Sequence, residues 1–587
     1  MIVDATTRSR GKSAHLALIS LLGMIATIAH AGPVTVLTSP AAAFPVTVKI
    51  DAAKPVGVLQ PIWRFFGADE PNYATRPEGE KLLMELGRLR PGQVYFRAHN
   101  LMTSGDGTPD FKWGSTNLYT VQDGKPVYDF TLVDHIIDTY LARGIHPYLE
   151  IGFMPEALTS APAGTPYHRA WRAGVDYKGV PSGWSYPPRD YHQWAELVYQ
   201  WTRHNVERYG RAEVKRWYFE VWNEPNLDFY WLGTPEDFYR LHDYGIDAVR
   251  RALPGARVGG PDVAGSGGAF MDGFLQHITT GTNYATGKVG TPSDFLSFHA
   301  KGQPAVVDGY VHMDIAKQLK TADEAFARIA AVPKLAHSPI VIGENDPEGC
   351  AACPGPQNQY RNDTMYSSYT AAIYPRLWEL ARRRNVNLEG ALTWAFTFVG
   401  QPWFAGYRQL ATNDVDLPVL NVFRLFARLD SAQVEATSSA QVPLTQILSD
   451  GVRGAPDVGV LATRAEKDGR VDILLWHYRD DDVPGPTADV HLLLSGVASG
   501  LKLQARVWRV DRESGDAFTV WRAMGAPANP TPPQIDRLLH ASRMVARPIK
   551  LGPRLDDGSV ALETRLPVQG VELIEVRRGD KGIVAGN

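Results

Sequence analysis

The sequence predicts an α/β protein, a (β/α)8 barrel with an accessory C-terminal β-sandwich. Three observations carry that expectation. Between residues 60 and 430, short apolar runs alternate with helical segments; eight such runs can be counted; and beyond residue 430 the texture changes to short β-rich stretches divided by turn residues. At 587 residues the chain is too long for one hydrophobic core, so more than one domain is expected.

The N-terminus comes first. Arg8, Arg10 and Lys12 precede a largely apolar stretch at 16–28, and Ala29-His30-Ala31 follows. That order reads as a signal peptide over residues 1–31, which makes the mature protein periplasmic or secreted. Residues 32–59 form an N-terminal segment whose strand at 46–50 is a possible strand of the sandwich. The barrel is expected over 60–430. Its strands are placed at 63–67, 94–99, 146–152, 217–222, 257–260, 295–299, 340–343 and 391–396. Most are compact apolar runs, as parallel strands covered on both faces require. Helical periodicity occupies the intervals, at 80–89, 134–142, 190–209, 235–252 and 367–384. In the third of these Trp194, Leu197, Val198, Trp201 and Val206 share a face, and Asp190 stands as N-cap. A doubly wound sheet is disfavoured because no glycine-rich phosphate loop follows the first strand. The sandwich is expected over 431–587, with strands at 458–463, 471–477, 488–494, 503–510, 560–566 and 571–576 and one helix near 534–541.

In barrels of this kind, functional residues sit where strands end on the C-terminal face. After the fourth strand stands Trp222-Asn223-Glu224-Pro225, and after the seventh Gly343-Glu344-Asn345-Asp346-Pro347. Two carboxylates so placed can flank a glycosidic bond, one protonating the leaving oxygen and the other attacking the anomeric carbon. Glu224 is assigned as acid/base, because the amide of Asn223 beside it suits a sugar 2-hydroxyl, and Glu344 as nucleophile. Arg97 and His99 close strand two, His299 and Lys301 close strand six, and Trp394 lies on strand eight; these are the candidate substrate-binding residues. Arg97 also suits the pairing of a buried carboxylate. Fifteen Trp and 24 Tyr fit stacking on sugar faces as well as a core.

The composition narrows the partners. A net charge of −3 gives no basic field for nucleic acid. No segment after the leader is long and apolar enough to span a bilayer, so a saccharide is the expected partner, an oligosaccharide or polysaccharide. Asp346 and Glu348 lie near Glu344 without a zinc or calcium ligand spacing, and no cofactor or metal is expected. No Gly-x-Ser-x-Gly elbow is present. Cys350 and Cys353, the only cysteines, suit either a small disulfide loop or two free thiols.

Taken together, Trp222-Asn223-Glu224-Pro225, the order of eight strands and Arg97-x-His99 resemble glycoside hydrolase family 39, over about residues 46–577. The family holds β-D-xylosidases and α-L-iduronidases on a barrel with an accessory β-sandwich. Residues 216–225, Ser297-Phe298-His299-Ala300-Lys301-Gly302 and Glu344-Asn345-Asp346-Pro347 are similar to the iduronidase branch. There the lysine of the His-x-Lys-Gly turn binds the substrate carboxylate, which implies that role for Lys301. Arg408 is the candidate counterpart of that branch's further carboxylate-binding arginine. The aspartate which that branch carries after strand eight has no counterpart in residues 391–396. The resemblance implies a retaining exo-glycosidase acting on a terminal equatorial bond, of the β-D-xyloside or α-L-iduronide type. The competing readings are an endo-acting exopolysaccharide glycosidase and a non-catalytic carbohydrate-binding barrel, the latter opposed by the presence of both Glu224 and Glu344.

Overall fold

The computed structural model describes residues 42–497 and 502–579. The signal segment expected over 1–31 lies outside the described residues, as does the start of the segment that follows it. Eight strands, Phe65–Ala68, Val94–Ala98, Ile145–Ile151, Tyr218–Val221, Arg257–Val263, Phe295–Lys301, Pro339–Asp346 and Asn387–Ala391, pair in parallel in chain order. The eighth position returns to the first: Gly67 N donates to Thr393 O, and Thr393 N to Phe65 O, each at 3.1 Å. The sheet therefore closes into a barrel.

A barrel of eight strands has an interior just wide enough for side chains, and alternate residues of each strand fill it. The lowest layer is aromatic. The Tyr218 ring lies 4.9 Å from both Tyr95 and Tyr148 and 5.0 Å from Phe295, and Phe65 stacks on Tyr95 at 5.0 Å. Two residues further along the same strands stand Gly67, Arg97, Glu150, Glu220 and Ser297. Two further again stand Asp69, His99 and His299. Period-two spacing thus carries the interior from an apolar floor through a charged middle to a polar mouth.

Helices cover the outside. Asp190 caps helix Tyr191–Tyr209, accepting from His192 N at 2.7 Å and Gln193 N at 3.4 Å. Thr234 and Asp237 form a reciprocal capping box on helix Pro235–Ala252. Helix Thr364–Arg384 is buried along most of its length, between the barrel and a second sheet.

That second sheet has ten strands in the order 547–549, 503–510, 571–578, 471–478, 457–464, 432–438, 44–58, 488–495, 560–566 and 551–554. All its pairings are antiparallel except that of Phe44–Val58 with Ala488–Ser495. One face of most strands points into a common apolar core containing Val48, Ile50, Val460, Ile473, Leu492, Leu562 and Ile574. The opposite face of the central strands, with Leu474, Trp476, Trp508 and Leu573, joins the core of the barrel. Strand Phe44–Val58, which contains residues 46–50, is an interior strand of this sheet, the seventh of the ten.

The eighth barrel strand differs from expectation. It is Asn387–Ala391, whereas the apolar run at 391–396 begins where the strand ends. Pairing nonetheless runs on into it, through Leu392 with strand seven and Thr393 with strand one, and the buried chain beyond lays Trp394 against strand one. Gly67 makes this possible, since a Cβ at that position would meet the Trp394 ring at 2.5 Å. Strand five also continues past Gly260 to Val263, which brings Asp262 into the site.

Candidate active site

Glu224 and Glu344 meet around one imidazole. His299 Nδ1 lies 2.8 Å from Glu224 Oε1 and 3.9 Å from Glu344 Oε1. Both carboxylates are recessed but reachable, with 15% and 7% of their side chains exposed. The backbone is bent to achieve this. Trp222 and Glu224 hold φ of +74° and +45°, and Glu224 N donates to Asp262 O at 2.9 Å. Positive φ at bulky residues is costly and concentrates at functional sites.

Beneath the pair lies a charge network built by the middle layer. Arg97 donates to Glu220 Oε2 and contacts Glu150 Oε2, both at 2.8 Å; it also pairs with Asp262 and donates to Asn223 Oδ1 at 3.1 Å. One guanidinium cannot neutralise three carboxylates. Burial pushes Glu150 well above the ordinary carboxylate range, and burial with Asp262 nearby pushes Glu220 up to about 7. Asp262 goes the other way: burial would raise it, but Arg97 and His299 outweigh burial and hold it down. Tyr148 OH and Ser297 Oγ complete the partners of Glu220.

His299 is consequently a cation. Its Nε2 lies 2.7 Å from Asp262 Oδ2 while Nδ1 faces Glu224. Burial alone would lower its pKa, yet Asp262, Glu344 and Glu224 together raise it to about 10. Both ring nitrogens then donate, Nε2 to Asp262 and Nδ1 to Glu224 Oε1.

Glu344 is held ionised. Burial disfavours its charge, but Lys301 and His299 outweigh this and keep its pKa well below the usual value. Lys301 Nζ lies 2.5 Å from Glu344 Oε2 and 2.6 Å from Asp346 Oδ2. Lys301, expected as a reader of substrate carboxylate, contacts the two carboxylates of strand seven, and 16% of its side chain stays exposed. Asp346 also accepts from Trp394 N at 3.0 Å.

The remaining candidates divide by what they have left to offer. Burial and Arg97 keep His99 neutral. Its Nδ1 meets Glu150 Oε2 at 2.6 Å, and its Nε2, with no hydrogen-bond partner, points between Glu344 Oε1 and Asp69 Oδ1 at 3.7 Å from each. Asn223 Nδ2 is buried and unpartnered too. Buried polar atoms normally find partners, so these two invite sugar hydroxyls. Trp394 packs on His99 at 4.3 Å, and its Nε1 donates to Asp69 at 3.2 Å. Arg97 lies under the site, paired with Glu150, Glu220 and Asp262, with its Nη1 buried and unpartnered. Arg408 is fully buried, donating to Trp394 O at 3.0 Å and pairing with Glu348, so it braces the strand-eight turn and presents no free cation.

Sequence reasoning did not single out Asp262, Glu150, Glu220, Asp69, Lys112 or Tyr230. Glu150 and Glu220 carry a signal, acids inside otherwise apolar strands two residues beyond Tyr148 and Tyr218 of the aromatic floor; Asp262, past Gly260-Pro261 on a strand without a floor ring, carries none. Lys112, on a long loop, carries none; its Nζ donates to Asp69 Oδ1 at 3.1 Å.

A closed parallel barrel with an ionised glutamate and a second glutamate about one imidazole, at the C-terminal ends of strands four and seven, defines a paired-carboxylate glycosidase. The chain belongs to glycosyl hydrolases family 39, whose model matches residues 46–555. It is similar to the β-xylosidase of Geobacillus stearothermophilus, with 26% identity over 514 residues, which span 84% of this chain and 88% of that one. It is similar as well to the α-L-iduronidase of Mus musculus, with 26% identity over 585 residues, 91% of this chain and 81% of that one. In fold it is similar to the GH39 enzyme of Xanthomonas axonopodis pv. citri, with a TM-score of 0.70 and 22% identity over 92% of this chain and 98% of the other.

Proposed function

We propose that this glycosidase is retaining and exo-acting, with Glu344 as nucleophile, Glu224 as acid/base and a terminal β-D-xyloside as substrate. The observation that carries retention is the shared imidazole. Glu224 Oε1 and Glu344 Oε1 can be no farther apart than the 2.8 and 3.9 Å contacts of His299 laid end to end. That limit on the nearer oxygens is compatible with the ~5–5.5 Å carboxyl separation of retaining enzymes. Glu344 attacks the anomeric carbon as Glu224 protonates the departing oxygen; Glu224 then deprotonates the water that releases the sugar.

Exo action is supported at the mouth. The loops after strands three and seven start on opposite sides of the barrel, yet they meet where Trp171 Nε1 donates to Ala352 O at 3.1 Å. That bridge narrows the mouth, as a site that takes one terminal sugar at a time needs. A neutral sugar is favoured because the cations near the nucleophile are matched, Lys301 by Glu344 and Asp346, and Lys112 by Asp69. The α-L-iduronide reading rests on the exposed edge of Lys301 and on the iduronidase relatives. The two substrates share an equatorial leaving group, so one carboxylate pair serves both.

The deciding experiment is a panel of aryl glycosides, xyloside, arabinoside, glucoside, galactoside and uronides, with the first-formed anomer read by NMR. Release of β-xylose first is the expected result. An inverted product would remove the nucleophile role of Glu344, and preference for the iduronide would reverse the choice of sugar. The basic start and apolar 16–28 stretch further support export and cleavage after Ala31. Mass spectrometry of the mature protein should then find Gly32 at the N-terminus; an intact Met1 in the exported protein would overturn this.

A further inference from the structure

In the mechanism above the leaving group departs on the side of the acid/base, over the loop that follows Glu224. That loop carries Phe229 and Tyr230, whose rings meet at 4.9 Å. Phe229 continues to Tyr177 at 5.6 Å, and Tyr177 stacks on Trp171 at 5.1 Å with an interplanar angle of 19°. Trp113 supports the row from below, 5.5 Å from Phe229 and 6.1 Å from Trp171. Phe229, Tyr177 and Trp171 are half-buried, so each keeps part of its surface open.

Their polar edges are already used. Trp171 Nε1 donates to Ala352 O. Tyr177 OH accepts from Arg172 N and donates to Ala170 O, both at 2.9 Å. Part of the ring faces is used as well, since Tyr177 stacks on Trp171 and Lys112 Nζ lies 5.3 Å from the Trp171 centroid; what remains for a ligand is the exposed part of the rings, which attracts aromatic rings and flat C–H-rich surfaces and has no hydrogen bond to offer. The row is also held in place from the nucleophile side. Ala352 lies within the Cys350–Cys353 disulfide loop, and Arg361 donates to Cys350 O at 2.9 Å and to Cys353 O at 2.8 Å.

We propose that Trp171, Tyr177 and Phe229 form the leaving-group subsite, taking an aryl aglycone or the C–H face of a second sugar by stacking, with the disulfide loop fixing Trp171 through Ala352. This rests on the retaining exo-glycosidase reading.

The test uses three substrates that differ only in what leaves: 4-nitrophenyl β-D-xyloside, xylobiose and β-D-xylosyl fluoride, which has no ring to stack. In Trp171→Ala, kcat/KM for the ring-bearing substrates should fall on the order of tenfold, through KM, while the fluoride is unchanged. Trp171→Phe keeps a stacking face and should lose less. Cys350→Ser/Cys353→Ser, which keeps the ring but loosens its anchor, should show a smaller loss with the same selectivity. A loss confined to the nitrophenyl substrate marks an aryl aglycone, and one confined to xylobiose marks a sugar; either supports the subsite. An equal fall on all three substrates, or none on either ring-bearing one, overturns it. A wild-type enzyme silent on all three and on the matching iduronides overturns the reading beneath it, and the subsite with it.

Discussion

Lys301 grips two carboxylates at once, and that decides what its removal does. Lys301→Met should lower kcat/KM on xyloside and uronide alike, by roughly ten- to more than a hundredfold, the value of ~1.5–3 kcal/mol for a charge-assisted bond. Because Lys301 is the main cation holding Glu344 ionised, the acid limb of the pH–rate profile should also move to higher pH. A loss confined to uronides would restore the carboxylate-reading role implied by the His-x-Lys-Gly turn. Glu224→Ala should cost ~10²–10⁴-fold on substrates with poor leaving groups and spare glycosylation by dinitrophenyl glycosides, which need little protonation. Equal losses on both would move the acid role to another residue. His299 sets a pH window for stability. Its folded pKa of about 10 lies above the ordinary value of ~6.5, so its contribution is complete below that ordinary value and lost as pH climbs through 10. Between these limits the Tm of the wild type should decline more steeply than that of His299→Asn; parallel slopes would remove the imidazolium. Glu224 and Glu344 were legible because strand ends can be counted. The pairing of Lys301 was not, because it depends on the register of strands six and seven, which sets Asp346 beside it.

Strands and helices were legible to different depths. Helix 235–252 is found as expected and helix 190–209 begins one residue later, because capping residues announce both starts. Asp190 offers a measure of that: Asp190→Ala should cost about 1 kcal/mol by removing the acceptor for two backbone N–H groups at an exposed helix start. Urea denaturation would show it, and no change in midpoint would mean that tertiary packing alone holds the helix end. Strand eight begins four residues before the expected run, because the apolar marker 391–396 catches only its end, where pairing continues through Leu392 and Thr393. Strand five was cut short at Gly260-Pro261, residues that usually end strands; here the chain runs on two residues and delivers Asp262 to His299. Arg97, His99, His299 and Trp394 were picked from their places at strand ends. The structure gathers all four: Trp394 packs on His99, and Arg97 pairs with Glu150 and Asp262, the partners of His99 and His299.

Barrel and second sheet meet through a buried ion pair. Arg376, on the helix between them, donates to both oxygens of Asp457 at 3.0 and 3.1 Å, and Trp476 Nε1 reaches the same carboxylate at 2.8 Å. Asp457→Ala would strand Arg376 uncompensated in the interface, at a cost of ~3–5 kcal/mol. Denaturation followed by fluorescence should shift as a single transition; a change below about 1 kcal/mol would show that water reaches the pair. The alternation of eight strand–helix units and the change of texture near residue 430 were both visible in the chain. Strand Ala432–Ser438 was not, since only Val434 of its seven residues is buried and so no apolar run marks it. It pairs with Phe44–Val58, which on its other side pairs with Ala488–Ser495. The sheet is therefore no cassette for recombination. A crossover carrying off everything after the barrel leaves behind the one strand that joins its two halves, opening two raw edges ready to pair with other chains. Barrel and sheet can be inherited only as one block.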